Sequence, residues 1–246
     1  MEIGFKTDTG RCRQKNEDAC LVRPVDHIFA VADGVGGNNS GEIASRTVVN
    51  EIARHCDNYS LPENDEAELK KFLMECMNNS NERVLDYSCR NFKNSGMATT
   101  VVLAYINGNT AYFVNVGDSR AYVLRGHRLT QVTEDHTYVN TLVKAGIISR
   151  KEAETHENKN MITRAIGAEY SVEPDFYKVT LKAGDIVLLC TDGLYDEVDQ
   201  EFLINELRSE KKMSVISETL VEEANRRGGS DNITMIAIKI TEDDLK

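Results

Sequence analysis

Apolar residues along the chain fall into two patterns, short continuous runs and helically spaced stripes, and each implies its own element. The segment Val25 to Ala32 is largely apolar and ends at Asp33-Gly34, which predicts a buried strand meeting a tight turn. Ala98 to Ile106 and Thr110 to Val116 are rich in β-branched and aromatic residues, with Asn107-Gly108-Asn109 between them. Those turn residues tolerate positive φ, so the pair predicts a β-hairpin. Arg120 to Arg125, Ile186 to Cys190 and Asn232 to Ile240 extend the series to at least six strands.

Helical spacing appears over Ser40 to Cys56, where Ala44, Val48, Val49, Ile52 and Ala53 share a face and Ser40 is placed to cap the helix. A second helix is expected over roughly Asp65 to Cys89, with Leu69, Phe72, Leu73, Cys76, Val84 and Leu85 on one stripe. Two more are expected near Gln200 to Arg208 and Ser214 to Arg227. Two helices precede the main hairpin and two precede the last strand, so helices are positioned to cover both faces of an antiparallel double sheet. Glu134 to Gly167 is polar and weakly periodic, and reads as a peripheral insertion of the kind that carries substrate contacts.

Composition narrows the class. The 246 residues are 41% apolar, enough for a sizeable core. They contain only three prolines and no repeat, low-complexity tract or proline-rich linker, so one continuous domain over 1–246 is expected. Forty acidic residues against 29 basic give a net charge of −11, which argues against a basic nucleic-acid binder. No apolar run approaches the ~20 residues that span a bilayer, and the opening Met1-Glu2-Ile3-Gly4-Phe5 has no secretory pattern. A soluble cytoplasmic protein without membrane or nucleic-acid partners is expected. Six cysteines, at 12, 20, 56, 76, 89 and 190, form no Cys-x-x-Cys pair and no zinc spacing with histidine. They read as reduced structural thiols in a reducing compartment.

Net negative charge also arises when clustered carboxylates await a cation. Four aspartates share one context, beside glycine or serine where an apolar strand starts or ends: Asp33, Asp118, Asp192 and Asp231. Each alone suits an ordinary turn. Asp33, Asp192 and Asp231 are distant in sequence but lie on strands apolar enough to be central, and adjacent central strands would bring the carboxylates together. Like charges so placed bind a proton or a cation, and oxygen ligands without His or Cys select hard ions such as Mg²⁺ or Mn²⁺. A dinucleotide fingerprint fails because Asn39 stands at its third glycine position and Asp33 would repel a pyrophosphate. No Gly-Lys-Ser/Thr loop and no EF-hand spacing of acids occurs.

Six motifs then occur in a familiar order: Asn16-Glu17-Asp18, Asp33-Gly34-Val35-Gly36-Gly37, Gly96-Met97-Ala98-Thr99-Thr100, Gly117-Asp118-Ser119-Arg120, Asp192-Gly193-Leu194 and Ser230-Asp231-Asn232-Ile233-Thr234. With them the chain resembles, over nearly its whole length, the metal-dependent protein phosphatases of type 2C in their compact bacterial form. The resemblance implies an α+β fold, a four-layer α-β-β-α sandwich of two antiparallel sheets flanked by helix pairs. It also implies a two-metal centre in the cleft between the sheets, and hydrolysis of phosphoserine and phosphothreonine in proteins. Asp33 would bridge two ions, Gly34 would bind through its carbonyl oxygen, and Asp192 and Asp231 would hold one ion. Glu17 would reach the second through water, with Asp18 supporting it, and Asp118 with Asp192 would take a third, weaker ion.

Arg13 falls where many members grip the substrate phosphate, though Arg11 and Lys15 beside it leave open a merely solvated basic stretch. Two Mn²⁺ or Mg²⁺ ions ~4 Å apart would ionise a bridging water to the hydroxide that attacks phosphorus in line, so no side-chain nucleophile is needed. Val35 stands where animal relatives carry a histidine, so the leaving-group proton would come from elsewhere. His136 is expected to be structural, or to support a ligand of the site from behind, rather than to take a direct part in catalysis. The segment Thr137 to Asn160 matches the small flap of bacterial members, about 137–160. The implied partners are phosphorylated proteins, targets of a Ser/Thr kinase, met by a monomeric enzyme. The contrasting reading, a non-catalytic regulatory binding module on the same fold, is disfavoured by the complete set of metal acids.

Overall fold

A computed structural model describes residues 1–36, 40–62 and 65–245. Gly37 of the glycine-rich motif, and Asn39, lie outside the described residues. Strands β1 (Glu2–Asp8), β2 (Asp18–Arg23) and β3 (Ile28–Val35) precede helices α1 (Gly41–Asn58) and α2 (Glu66–Arg90). Strands β4 (Ala98–Thr99), β5 (Val101–Asn107), β6 (Thr110–Val116), β7 (Arg120–Arg125) and β8 (Arg128–Gln131) follow, then the short helices α3 (Tyr138–Lys144) and α4 (Arg150–Glu154). The chain continues through β9 (Asp175–Thr180), β10 (Ile186–Cys190), α5 (Asp192–Tyr195), α6 (Gln200–Leu207), α7 (Met213–Arg227) and β11 (Ile233–Lys239).

The strands form two antiparallel sheets. One runs β1-β11-β10-β7-β8 and the other β2-β3-β5-β6-β9, with β4 paired to β3. Side-chain alternation explains why the central strands read as unbroken apolar runs. In β3, Ile28 and Ala30 face α1 and α2, while Phe29 and Val31 face the other sheet. In β10, Ile186, Leu188 and Cys190 face α6 and α7, while Val187 and Leu189 face β3 and its neighbours. Both faces of each central strand are covered, so neither tolerates polar residues. The layers are therefore α1/α2, sheet, sheet and α6/α7, the four-layer α+β sandwich expected from the resemblance.

Several local expectations are corrected. The run from Val25 does not begin a strand there: Pro24–His27 is a turn, and β3 starts at Ile28. Nor does β3 end in a turn at Asp33-Gly34. The strand continues to Val35 because β2 and β4 supply backbone partners on either side, Asp18 opposite Asp33 and Thr99 opposite Gly34. Ser40 occupies the N-cap position of α1 without capping it, and its hydroxyl donates to the Lys93 carbonyl at 2.9 Å, tying α1 to the segment after α2. Asp65 does cap α2, accepting from the Ala67 and Glu68 amides. The hairpin turn is as expected, with Gly108 at φ 53°. Cys76 and Cys190 are buried, and all six cysteines are free.

Phe113 fills the space between the sheets, packed among Phe29, Val31, Val187, Leu189 and Ile236 with no exposed surface. Phe113→Ala is expected to lower unfolding free energy by about 3–5 kcal/mol in urea titration. A loss under 1 kcal/mol would contradict close packing between the sheets.

Candidate metal centre

The acids gather where the two sheets meet at one end, and each is held there by backbone and hydroxyl contacts. Asp33 on β3 donates its N–H to Thr100 Oγ1 (3.0 Å), while its carbonyl accepts from the Thr100 amide (2.9 Å) and the Thr99 hydroxyl (2.8 Å). Next to it, Gly34 donates its N–H to the Glu17 carbonyl at 3.2 Å. A Cβ at Gly34 would lie 2.2 Å from the Gly41 carbonyl oxygen, so only glycine lets β3, the Glu17 backbone and the start of α1 close up. Gly117 carries φ +106°, and a Cβ there would meet the Thr100 side chain at 2.6 Å. This left-handed residue turns the chain out of β6 and places Asp118 at the rim.

The facing sheet supplies the others. Asp192 opens α5 directly after β10, and Asp231 stands just ahead of β11, the strand paired with β10. The expectation of carboxylates on adjacent strands therefore holds only for Asp192 and Asp231. Asp33 comes from across the sandwich, because β3 belongs to the other sheet. Thr191 joins the two layers: its hydroxyl donates to Asp18 Oδ2 (2.9 Å) and accepts from the Thr234 amide (3.0 Å). Sequence reading missed Thr191, whose only signal is its place immediately before Asp192-Gly193. It also missed Glu197, which accepts from the Ser230 amide (3.1 Å) and hydroxyl (2.6 Å) and so holds the loop bearing Asp231.

Electrostatics record the crowding. Burial first, then the neighbouring Asp18, Asp192, Asp118 and Asp231, push the Asp33 carboxyl well above the usual carboxylate range. Burial and the charges of Asp192 and Asp231 carry Asp18 up to about 7 against the lowering hydrogen bonds of Thr234 and Thr191. Asp118 is pushed up to about 7 by burial and by Asp192. Asp192 reaches about 6 through burial and Asp231, offset in part by a hydrogen bond with the Asp33 carboxyl. Burial also raises Glu17. Five carboxylates thus share one electrostatic neighbourhood, and Glu17 borders it.

Asp18 Oδ1 and Asp192 Oδ1 are buried oxygens with no hydrogen-bond partner, an arrangement that costs free energy unless a proton or cation is supplied. The donor set is entirely oxygen, which fits hard divalent ions. Among the described residues no three His, Cys, Asp or Glu side chains already close around a single point at ligand spacing. The acids are gathered at one end of the sandwich without forming a closed shell.

Arg13 does not lie free in solvent. Its Nη2 donates to Asp231 Oδ2 at 2.6 Å, with 49% of the side chain exposed. His136 is structural, as expected: its Nδ1 accepts from the Gly117 amide (3.1 Å), its own N–H donates to the Gly117 carbonyl (3.0 Å), and Nε2 meets Asp175. Burial lowers its pKa, so it is neutral at pH 7 and supports the turn that carries Asp118. The segment expected to form the flap holds α3 and α4, is bridged at its base by Thr137 and Ile162, and is tied to the segment after Asp192 by Lys159 and Asp196 (2.8 Å). It walls a cavity of about 710 Å³ that reaches Asp118, Arg120 and Tyr195.

Comparison with known proteins places this arrangement. Residues 10–235 match the family model described as Protein phosphatase 2C. The serine/threonine phosphatase stp of Listeria monocytogenes is 35% identical over 242 residues, covering 97% of this chain and 96% of that protein. The crystal structure of Stp1 from Staphylococcus aureus superposes with a TM-score of 0.91 at 33% identity, over 98% of this chain and 95% of that one. The catalytic domain of the phosphatase PstP, solved in complex with two manganese ions, superposes with a TM-score of 0.85 at 33% identity over 98% of each chain. The chain belongs to the protein phosphatase 2C family.

The raised carboxyls fix a pH dependence. Native Asp18, Asp33 and Asp118 retain protons at pH values where the unfolded chain, with aspartates near 3.8, has released them. The stability they lend is full below about pH 4 and is lost as pH rises through their native pKa values. His55 and His136, held neutral by burial, oppose this trend below about 6.5, so the cleanest window is pH 6.5 to 8. Thermal melts in EDTA are expected to show the melting temperature falling across that window, with Mn²⁺ restoring it at pH 8. A melting temperature that rises from pH 6.5 to 8 would contradict the carboxylate cluster.

Proposed function

We propose that this chain is a divalent-metal-dependent phosphatase that hydrolyses phosphoserine and phosphothreonine in proteins. The observation that carries the reading is the convergence of Asp18, Asp33, Asp118, Asp192 and Asp231, from both sheets, on one end of the sandwich with unpartnered carboxylate oxygens. Membership of the phosphatase family and a manganese-bound relative support it.

Asp33, the Gly34 carbonyl, Asp192 and Asp231 would hold two ions, with Glu17 reaching one of them and Asp18 orienting the surroundings. Mn²⁺ or Mg²⁺ bound there supplies Lewis acidity, lowering the pKa of coordinated water and neutralising charge on phosphoryl oxygens. A third, weaker ion, implied by the resemblance to the bacterial family members, is assigned to Asp118 and Asp192, and the charge of Asp192 also acts on Asp118.

The chain's own residues supply positioning. Arg13 swings between Asp231 and the substrate phosphate, to which its planar fork donates paired hydrogen bonds. Thr191 holds the Asp18 carboxylate, and Thr99 and Thr100 hold the Asp33 backbone, so that little reorganisation accompanies binding. Cys190, the cysteine two residues before Asp192, offers no nucleophile: it is fully buried and its thiol is held protonated by burial. The substrates we assign are cytoplasmic phosphoproteins modified by a Ser/Thr kinase. The six free thiols support a reducing compartment, and no helix among the described residues is long and apolar enough to cross a membrane. The intact acid set favours catalysis over a non-catalytic binding module.

EDTA is expected to abolish hydrolysis of p-nitrophenyl phosphate and of a phosphothreonine peptide, and Mn²⁺ to restore both. Asp33→Ala, Asp192→Ala and Asp231→Ala should each lower kcat at least ~100-fold while circular dichroism stays native. Full activity in EDTA, or an active Asp192→Ala protein, would refute the proposal. Arg13→Ala should raise KM roughly tenfold with a smaller change in kcat; an unchanged KM would leave Arg13 as a partner of Asp231 alone.

A further inference from the structure

Residues 9–16 link β1 to β2 along one lip of the acidic cluster, and the segment is fastened at both ends. The Arg11 and Cys12 amides both donate to the Gly229 carbonyl, at 2.8 and 3.0 Å. The buried Asn232 side chain spans the whole segment: Nδ2 donates to the Thr9 carbonyl (2.7 Å) and the Lys15 carbonyl (2.9 Å), and Oδ1 accepts from the Glu17 amide (2.8 Å). Gly10, at φ +76°, lets the backbone approach so closely that a Cβ there would sit 2.1 Å from the Asp231 carbonyl oxygen. Backbone and metal loop therefore form one unit, although residues 11 to 15 are exposed.

Three of those five exposed residues are cationic and alternate along the chain: Arg11, Arg13 and Lys15. Each has a distinct place on the lip. Arg11 lies against Gly229, Arg13 reaches Asp231, and Lys15 stands 4.0 Å from Glu42 in the first turn of α1. The cations thus run from the loop before Asp231 to the start of α1, and both Arg13 and Lys15 act on the Glu17 carboxyl. Among the described residues the Arg11 side chain has no hydrogen bond or ion pair, and the Lys15 contact is long and exposed. Neither contributes appreciably to folding. In a chain of net charge −11, two such cations beside the acidic cluster are available to an anionic ligand from solution.

We propose that residues 9–16 form a recognition lip for acidic residues flanking the phosphorylated serine or threonine, with Arg11 and Lys15 as specificity determinants on either side of Arg13. The inference rests on the phosphatase reading and specifies its substrates: phosphoproteins with glutamate or aspartate flanking the phosphorylated residue. The segment bends at Arg11–Cys12 and again at Gln14–Lys15, and its Thr9 and Lys15 carbonyls meet on one Asn232 amide, so the three cations are gathered on a single fastened loop.

The test compares two phosphothreonine peptides that differ only in flanking Glu or Gln, assayed on the Mn²⁺-loaded enzyme at 50 mM and 500 mM NaCl. Wild-type enzyme is expected to favour the Glu peptide roughly three- to tenfold in kcat/KM, chiefly through KM, and less at high salt. R11Q/K15Q should bring the ratio to about one, and R11E/K15E should invert it; thermal melts would verify that both variants fold. Equal rates on the two peptides with wild-type enzyme, or a preference for Glu that survives R11E/K15E, would overturn the proposal alone. Hydrolysis of neither peptide would overturn the phosphatase reading, and this proposal with it.

Discussion

Mutual repulsion among carboxylates at the seam of two apolar sheets is the constraint on which the rest of this structure depends. Asp18, Asp118, Asp192 and Asp231 sit close enough that all four raise the proton affinity of Asp33, and two oxygens of the cluster have no partner at all. Burying like charges opposes folding, and the cost is met elsewhere, by the three apolar layers that clamp the sandwich. A site built this way binds cations because cations remove a penalty that folding has already imposed.

The scaffold transmits that clamp to the acids through small residues and hydroxyls. Gly34 allows β3 to approach the start of α1, Gly117 turns the chain out of β6 just before Asp118, and Thr191 links Asp18 in one sheet to Thr234 in the other. Asn232 extends the same rigidity to the segment carrying Arg13. Rigid placement matters because an acid free to swing into water would lose both its raised pKa and its readiness for a cation.

What the sequence made legible follows from burial. All the strands inferred from apolar runs are interior strands or β4, covered on both faces. The four strands that went unread, β1, β2, β8 and β9, are the four sheet edges, where sequences such as Glu2-Ile3-Gly4-Phe5-Lys6 mix exposed and charged positions and dilute the period. Asp33-Gly34 looked like a turn because glycine after an apolar run usually marks one, and only pairing to β2 and β4 keeps it extended. The acids could be named from their strand-end context, but not their partition between two sheets, which is a matter of topology rather than local pattern. Thr191, Glu197 and the bridging geometry of Asn232 carry no local signal beyond adjacency to an aspartate, so their roles appear only in three dimensions.

The central claim is that crowded, partly protonated carboxylates give up protons to divalent ions. Calorimetric titration of metal-free protein with Mn²⁺ at pH 6.5, repeated in two buffers of different ionisation enthalpy, measures it directly. A net release of roughly one proton or more per protein on binding is expected, falling markedly in Asp33→Asn. Tight binding with no proton release, or no binding at all, would contradict the account.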